Sequence, residues 1–155
     1  MKSRLNVNPE DQKTKSSLHV VLLDYIGEFE ELIGPVRGTA VLGIDNIQDR
    51  PVIEFFKGLG ANITLLRYDH HWRQLPVKEN FDIVVTEGVV SKVQSINYYV
   101  QDPAEWFYSE VLRILKPSGH YISNDFLVEP VDLEKAGFVD VKKIISDSFL
   151  YGRKS

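Results

Sequence analysis

The sequence predicts an α/β protein in which helices cover both faces of a seven-stranded, mostly parallel sheet. Segments with strand-like and helix-like apolar patterns alternate along the chain, which is typical of parallel strands joined by helices. Acidic residues end the first three predicted strands, so these residues would meet at one edge of the sheet. The last two strands are joined near Ser146 and Asp147. Because that connection is too short for a parallel crossover, we expect the last strand to be antiparallel.

The stretch from Val20 to Asp45 organises this prediction. Its first apolar run, Val20–Leu23, reads as a buried strand ended by Asp24, and Gly27 falls in the turn that follows. A short helix and a second strand, Thr39–Ile44, come before Asp45. The two acids are 45 − 24 = 21 residues apart, which matches the spacing of nucleotide-binding βαβ units. An ordinary βαβ crossover with acidic turn residues explains the same pattern.

The remaining elements follow from apolar runs and helix-capping signals. Gly58 and Gly60 end a helix that follows Pro51, and Asp102-Pro103 begins another. A third helix, around 131–136, ends at Gly137. The other predicted strands are Asn62–Tyr68 followed by Asp69, Phe81–Thr86 followed by Glu87, His120–Asn124, Phe138–Ile145 and Phe149–Lys154.

Bulk properties restrict the function classes. The 155 residues fit one domain, and the net charge of −4 gives no indication of binding to nucleic acid or to an anionic membrane. The absence of cysteine excludes disulfides, thiolate catalysis and cysteine-ligated metals. Residues 1–17 read as a flexible, polar arm before a domain at 18–155. Without a signal peptide pattern or a long apolar run, we expect a cytoplasmic protein that does not enter the membrane.

Several segments together resemble the class I S-adenosylmethionine-dependent methyltransferases, which have a three-layer Rossmann-like sandwich. The segments that carry the resemblance are LLDYIG, VLGID, LLRYDHHWRQLP, FDIVVTEGVV, DPAEWFYSEVLRILKPSGHYIS and LEKAGFVDVKKI. The family's glycine-rich first loop is degenerate here, because only Gly27 stands in the corresponding stretch. The resemblance implies S-adenosylmethionine as the cofactor and covers roughly residues 18 to 154.

The resemblance also implies roles for individual residues. The cofactor-binding set would be Asp24, Tyr25 and Gly27 at the methionine end, Asp45 and Asn46 at the ribose, Asp69 and His70 at the adenine, and Glu87 and Gly88 beside the sulfonium. Candidates for a general base are Glu87, His70 and Tyr98. Alternatives remain open, since Asp69 could cap a turn and His70-His71 could be a solvated pair. We predict no metal site, because adjacent side chains usually point apart.

The acceptor is not specified by any motif. Only a short polar arm precedes the first predicted strand, and no large insertion follows the later ones. An open pocket suits a macromolecular acceptor, such as a protein, or a partner subunit or second copy of the chain that completes the site. The sequence therefore predicts a methyltransferase with an open site. The alternative is a degenerate, non-catalytic methyltransferase-like protein that binds or scaffolds.

Overall fold

The structure is a computed structural model, and it describes residues 22–45, 51–78, 80–96, 102–125, 128–145 and 147–155. Helices and strands alternate along these residues. The helices are α1 (Ile26–Ile33), α2 (Pro51–Gly58), α3 (Val90–Ile96), α4 (Pro103–Ile114) and α5 (Pro130–Ala136). The strands are β1 (Ala40–Asp45), β2 (Asn62–Arg67), β3 (Phe81–Glu87), β4 (Leu115–Asn124), β5 (Val139–Ile144) and β6 (Phe149–Arg153).

The six strands form one sheet in the order β2-β1-β3-β4-β6-β5. The four strands from β2 to β4 are parallel, whereas β6 runs antiparallel to both β4 and β5. The predicted terminal hairpin is therefore confirmed. The described residues contain six strands rather than the predicted seven. In addition, β4 begins at Leu115, before the predicted start at His120, and its register against β3 shifts there.

Two apolar cores lie on opposite faces of the sheet. Val41 of β1 faces the core that contains Phe29 of α1 and Phe55 of α2, and the next residue, Leu42, faces the core of α3, α4 and α5. This alternation is what a parallel strand buried on both faces requires. The predicted three-layer sandwich is confirmed. Within the described residues, every helix falls short of the length and apolar character that a membrane crossing requires.

The prediction of a strand at Val20–Leu23 is wrong where the structure describes it. Residues 22–24 are helical and lead into α1, whereas residues 20 and 21 lie outside the described residues. The physical reason is the spacing of the apolar residues. Leu22, Ile26, Phe29 and Ile33 recur every three or four positions, and together they pack against the core on one face of the sheet. Leu23, the next residue in the run, is 49% exposed.

Candidate functional site

The carboxyl ends of the four parallel strands form a continuous edge, here called the carboxyl edge. Its strand-end residues are Arg67 on β2, Asp45 on β1, Glu87 on β3 and Asn124 on β4. Each is the register partner of its neighbour along this series. Ligands of open α/β sheets bind outside this edge, because the turns between strands and helices open there. The carboxyl edge is therefore the candidate functional site.

Glu87 is buried at this edge and caps helix α2. Its side chain accepts hydrogen bonds from the backbone N–H of Val52 at 3.1 Å and of Ile53 at 2.9 Å, both in the first turn of α2. The Asn124 amide donates a third bond at 3.0 Å. The residue is only 2% exposed. A carboxylate at a helix N-terminus also interacts favourably with the helix dipole. Glu87 thus fastens α2 to the edge, and both of its oxygens are engaged.

Gly43 allows α2 to approach β1 closely. A Cβ at this position would lie between 2.8 and 3.0 Å from three side-chain atoms of Ile53. Any larger residue would push the first turn of α2 away from the sheet. Gly43 therefore serves the close packing of helix on strand, one of the tasks that glycines perform in nucleotide-binding βαβ units. Residues 46–50, which follow β1 in the sequence, include no glycine.

A second carboxylate caps the next helix on this edge. Asp125 follows β4, and its Oδ1 accepts from the backbone N–H groups of Val89 and Val90 at the start of α3. Its Oδ2 accepts from the hydroxyls of Thr86 and Ser123, each at 2.7 Å. Burial, reinforced by the negative charge of Asp125, holds the pKa of Tyr121 well above its usual value. This network is structural, because the bonds to Asp125 join β3, β4 and the start of α3 to one another.

Asp45 and Asp69 occupy the other half of the edge. Asp45 ends β1, is 1% exposed, and has its Oδ1 3.8 Å from Nε of Arg67. Asp69 stands two residues beyond β2. The Tyr68 backbone N–H donates to the Asp45 carbonyl at 2.6 Å, which ties the segment after β2 to the end of β1. The two acids therefore follow adjacent parallel strands, and only the second is exposed.

Asp69 begins a tight turn that carries two histidines. Its Oδ1 accepts from the His71 backbone N–H at 2.9 Å and lies 3.0 Å from His71 Nδ1. The hydrogen bond from the His71 backbone is the main cause that lowers the pKa of Asp69 below its usual value, and the bond with the His71 ring is the second. The rings of His70 and His71 lie 3.9 Å apart between centroids. The expectation that these adjacent side chains point apart is therefore wrong, because the turn brings them to the same side.

The structure changes which segment forms the first βαβ unit of the sheet. The unit is β1-α2-β2, with its acids at Asp45 and Asp69, 69 − 45 = 24 residues apart. Asp24, Tyr25 and Gly27 do not lie in a strand-to-helix turn, because residues 22–24 are helical and Gly27 belongs to α1. Our assignment of these three to the first turn is wrong.

The other predicted site residues divide into two groups. Asp45, Asp69, His70, Glu87 and Gly88 all follow or end strands of the carboxyl edge, as expected. Gly88 has a φ of +67°, and a Cβ there would meet no atom within 4 Å in the part of the chain that the structure describes. Asn46 and Tyr98 lie outside the described residues, so their predicted roles stay predictions.

Sequence reasoning missed Asp125, Arg67 and Asn124. Asp125 could have been found, because it directly follows a predicted strand, as Asp45 does. Arg67 and Asn124 are the last residues of their strands, and no pattern in the sequence distinguishes them from other polar strand ends.

Comparison with solved structures identifies the architecture. A 16S rRNA methyltransferase from T. thermophilus, solved with AdoMet and guanosine, superposes with a TM-score of 0.59 at 19% identity, covering 90% of this chain. An S-adenosylmethionine-dependent methyltransferase from Mesorhizobium loti gives 0.53 at 14% identity, covering 84% of this chain and 97% of its own. The chain has the fold of the class I methyltransferases.

This methyltransferase fold does not fix the chemistry. The cyclase SpnF shares it at a TM-score of 0.50 and 13% identity, over 83% of this chain and 78% of its own. The present chain spans only 43% of the length of the T. thermophilus enzyme. No protein-family model and no curated protein matches the sequence. The function must therefore be argued from the residues of the carboxyl edge.

Proposed function

We propose that the protein binds S-adenosylmethionine at the carboxyl edge and transfers its methyl group to an acceptor that approaches from solvent. The observation that carries the proposal is the pair of acids on adjacent strands, Asp45 at the end of β1 and Asp69 beyond β2. The fold shared with methyltransferases supports it. These two positions correspond to the ends of the first and second strands of a nucleotide-binding βαβ unit.

The two acids suit different parts of this cofactor. Asp69 is exposed, and the interactions that lower its pKa keep it ionised at neutral pH. An ionised carboxylate can accept from both hydroxyls of a ribose, which is the role of the acid after the second strand in such units. Asp45 is buried at the first turn, where its charge would complement the cationic amino group of the methionine moiety. Its proposed partner is therefore the methionine end rather than the ribose.

Methyl transfer requires the protein mainly to position the acceptor relative to the methyl group. The cofactor would supply an activated methyl group bound to a positive sulfur, and the protein would orient the acceptor for in-line displacement. Glu87 is a poor general base, because proton capture would compete with its bonds to Val52, Ile53 and Asn124. His70 is the remaining described candidate. Because Asp69 is exposed at this edge, we propose a macromolecular acceptor, such as a protein, or a partner subunit that completes the site.

A second candidate function rests on a specific observation. In nucleotide-binding units, the helix N-terminus after the first strand receives an anionic group of the ligand. In this chain, Glu87 already accepts the first N–H groups of α2, and the sequence from 46 to 50 includes no glycine. These features favour a methyltransferase-like domain that has lost catalysis and serves as a binding or scaffold protein.

Isothermal titration with S-adenosylmethionine, and separately with its demethylated product, tests the proposal. We expect saturable binding to the wild type, and affinity reduced roughly tenfold or more by Asp69→Asn, because a charged hydrogen-bond acceptor is lost. The matched control is Asp147→Asn, an exposed aspartate in the β5-β6 turn, which should bind like the wild type. Absence of binding to folded wild-type protein at millimolar cofactor would reject the proposal and leave the non-catalytic candidate.

A further inference from the structure

The turn after β2 brings together three side chains that can bind a metal ion. Asp69, His70 and His71 each offer one donor atom, and these atoms all lie within 4.8 Å of one another. The two imidazole rings are 3.9 Å apart between centroids, and Asp69 Oδ1 is 3.0 Å from His71 Nδ1. We propose that this cluster is a binding site for a divalent transition-metal ion such as Zn²⁺.

The donor geometry is close to what one ion requires. Zinc lies about 2.0–2.2 Å from its nitrogen and oxygen ligands, so two ligands of one tetrahedral ion are about 3.3–3.6 Å apart. The 3.0 Å between Asp69 Oδ1 and His71 Nδ1 is close to this distance. The third donor, on His70, lies within 4.8 Å of the other two. All three side chains reach solvent, so an ion can enter.

The backbone of the turn holds the donors in this arrangement. On one side, Tyr68 is 8% exposed and packs into the core. On the other side, Trp72 packs against the same core, and its ring meets the Tyr68 ring edge-on with 5.7 Å between centroids. The Trp72 backbone N–H also donates to the Asp69 carbonyl at 3.1 Å. Both ends of the three-residue segment are thus anchored. Little additional ordering is needed when the ion binds, which favours affinity.

The set of donors indicates the class of ion. Two imidazoles and one carboxylate suit zinc and other late first-row divalent ions, whereas magnesium and calcium prefer oxygen ligands alone. Three protein ligands leave coordination positions open to water or to another ligand. Because Asp69 is also the proposed ribose ligand, Zn²⁺ and S-adenosylmethionine should compete. That competition rests on the proposed function, whereas the metal site itself does not.

Titration calorimetry with ZnCl₂ in the absence of cofactor tests the site, with His70 and His71 ring protons followed by NMR. We expect one equivalent to bind, both rings to shift, and each of His70→Ala, His71→Ala and Asp69→Asn to weaken binding at least about tenfold, as loss of a ligand should. Circular dichroism should give unchanged melting for these exposed variants without metal.

The matched control is His120→Asn, because His120 lies on β4 with its Nδ1 2.6 Å from the Tyr151 hydroxyl, away from the turn. This variant should bind Zn²⁺ like the wild type. No binding at millimolar Zn²⁺, or binding that the three turn variants leave unchanged, would overturn the proposal. A cofactor titration that fails while zinc binds would count against the proposed function only.

Discussion

The two halves of the carboxyl edge use their acidic residues in opposite ways. On the β3-β4 half, Glu87 and Asp125 accept hydrogen bonds from the first N–H groups of α2 and α3, and from neighbouring side chains. On the β1-β2 half, the bonds accepted by Asp69 come from its own turn. An acid that follows a strand is therefore not by itself a ligand-binding group. What distinguishes Glu87 and Asp125 from Asp69 is that the first N–H groups of a helix already use their carboxylates.

Replacement of Glu87 should give the largest effect. In Glu87→Ala, two backbone N–H groups of α2 and the Asn124 amide lose their buried acceptor. We expect the free energy of unfolding to fall by roughly 3 kcal/mol, measured by urea denaturation. Glu87→Gln, which keeps one acceptor oxygen, is the matched control and should lose less. Equal stability of Glu87→Ala and wild type would mean that this half of the edge is not structural.

Gly43→Ala should have the next largest effect. The added methyl group would overlap the Ile53 side chain, so α2 must shift away from β1. We expect a loss of about 2 kcal/mol in the free energy of unfolding, in the range of overpacked cores. Gly27→Ala is the control, because a Cβ on this helical residue meets no atom of the described residues within 4 Å. That substitution should stabilise the protein slightly. If both variants behaved alike, close packing would not be the reason for Gly43.

Asp125→Asn should destabilise the protein less. The asparagine side chain keeps an oxygen that accepts from the N–H groups of Val89 and Val90. Its NH₂ group takes the place of the oxygen that accepts from the Thr86 and Ser123 hydroxyls. Because hydroxyls can rotate and accept instead, we expect a loss of only about 1 kcal/mol. Thermal denaturation with Asp147→Asn as the reference variant measures it. A loss as large as that of Glu87→Ala would show that the capping of α3 is equally important.

Asp69→Asn should change the stability least, although it should impair binding. Its carboxylate is exposed, and within the described part of the chain its hydrogen bonds come from His71 of the same turn. Asparagine also supports the same kind of turn. We expect the urea midpoint to match that of the wild type, while the affinity for S-adenosylmethionine and for Zn²⁺ falls. A marked loss of stability would remove the contrast between the two halves of the edge.

The sequence predicted the elements whose signals are local. Asp102 caps α4 as expected, with its side chain accepting from the Glu105 backbone N–H at 3.1 Å, and Gly137 ends α5 with a φ of +109°. The first strand failed because a short apolar run does not distinguish a strand from a buried helical segment. The helical spacing of Leu22, Ile26 and Phe29 was the signal that resolves it.

The candidate site was predictable only in part, because its capping contacts are not local. Asp45, Asp69 and Glu87 were found from their positions after strands. The bonds that fix the role of Glu87 reach Val52 and Asn124, which are about 35 residues away in each direction. No spacing rule relates such partners. The register of β1, β3 and β4 has to be known first.

The most direct test of the contrast between the two halves is an NMR titration of amide-labelled protein with the demethylated cofactor. We expect saturable shifts concentrated at Ile44, Asp45, Tyr68 and Asp69, with the amides of the β5-β6 turn unchanged. Contrary results would be no shift at millimolar ligand, or shifts confined to another surface, such as the groove lined by Glu28, Glu31, Lys142 and Lys143. Either would mean that the β1-β2 half of the carboxyl edge is not the binding site.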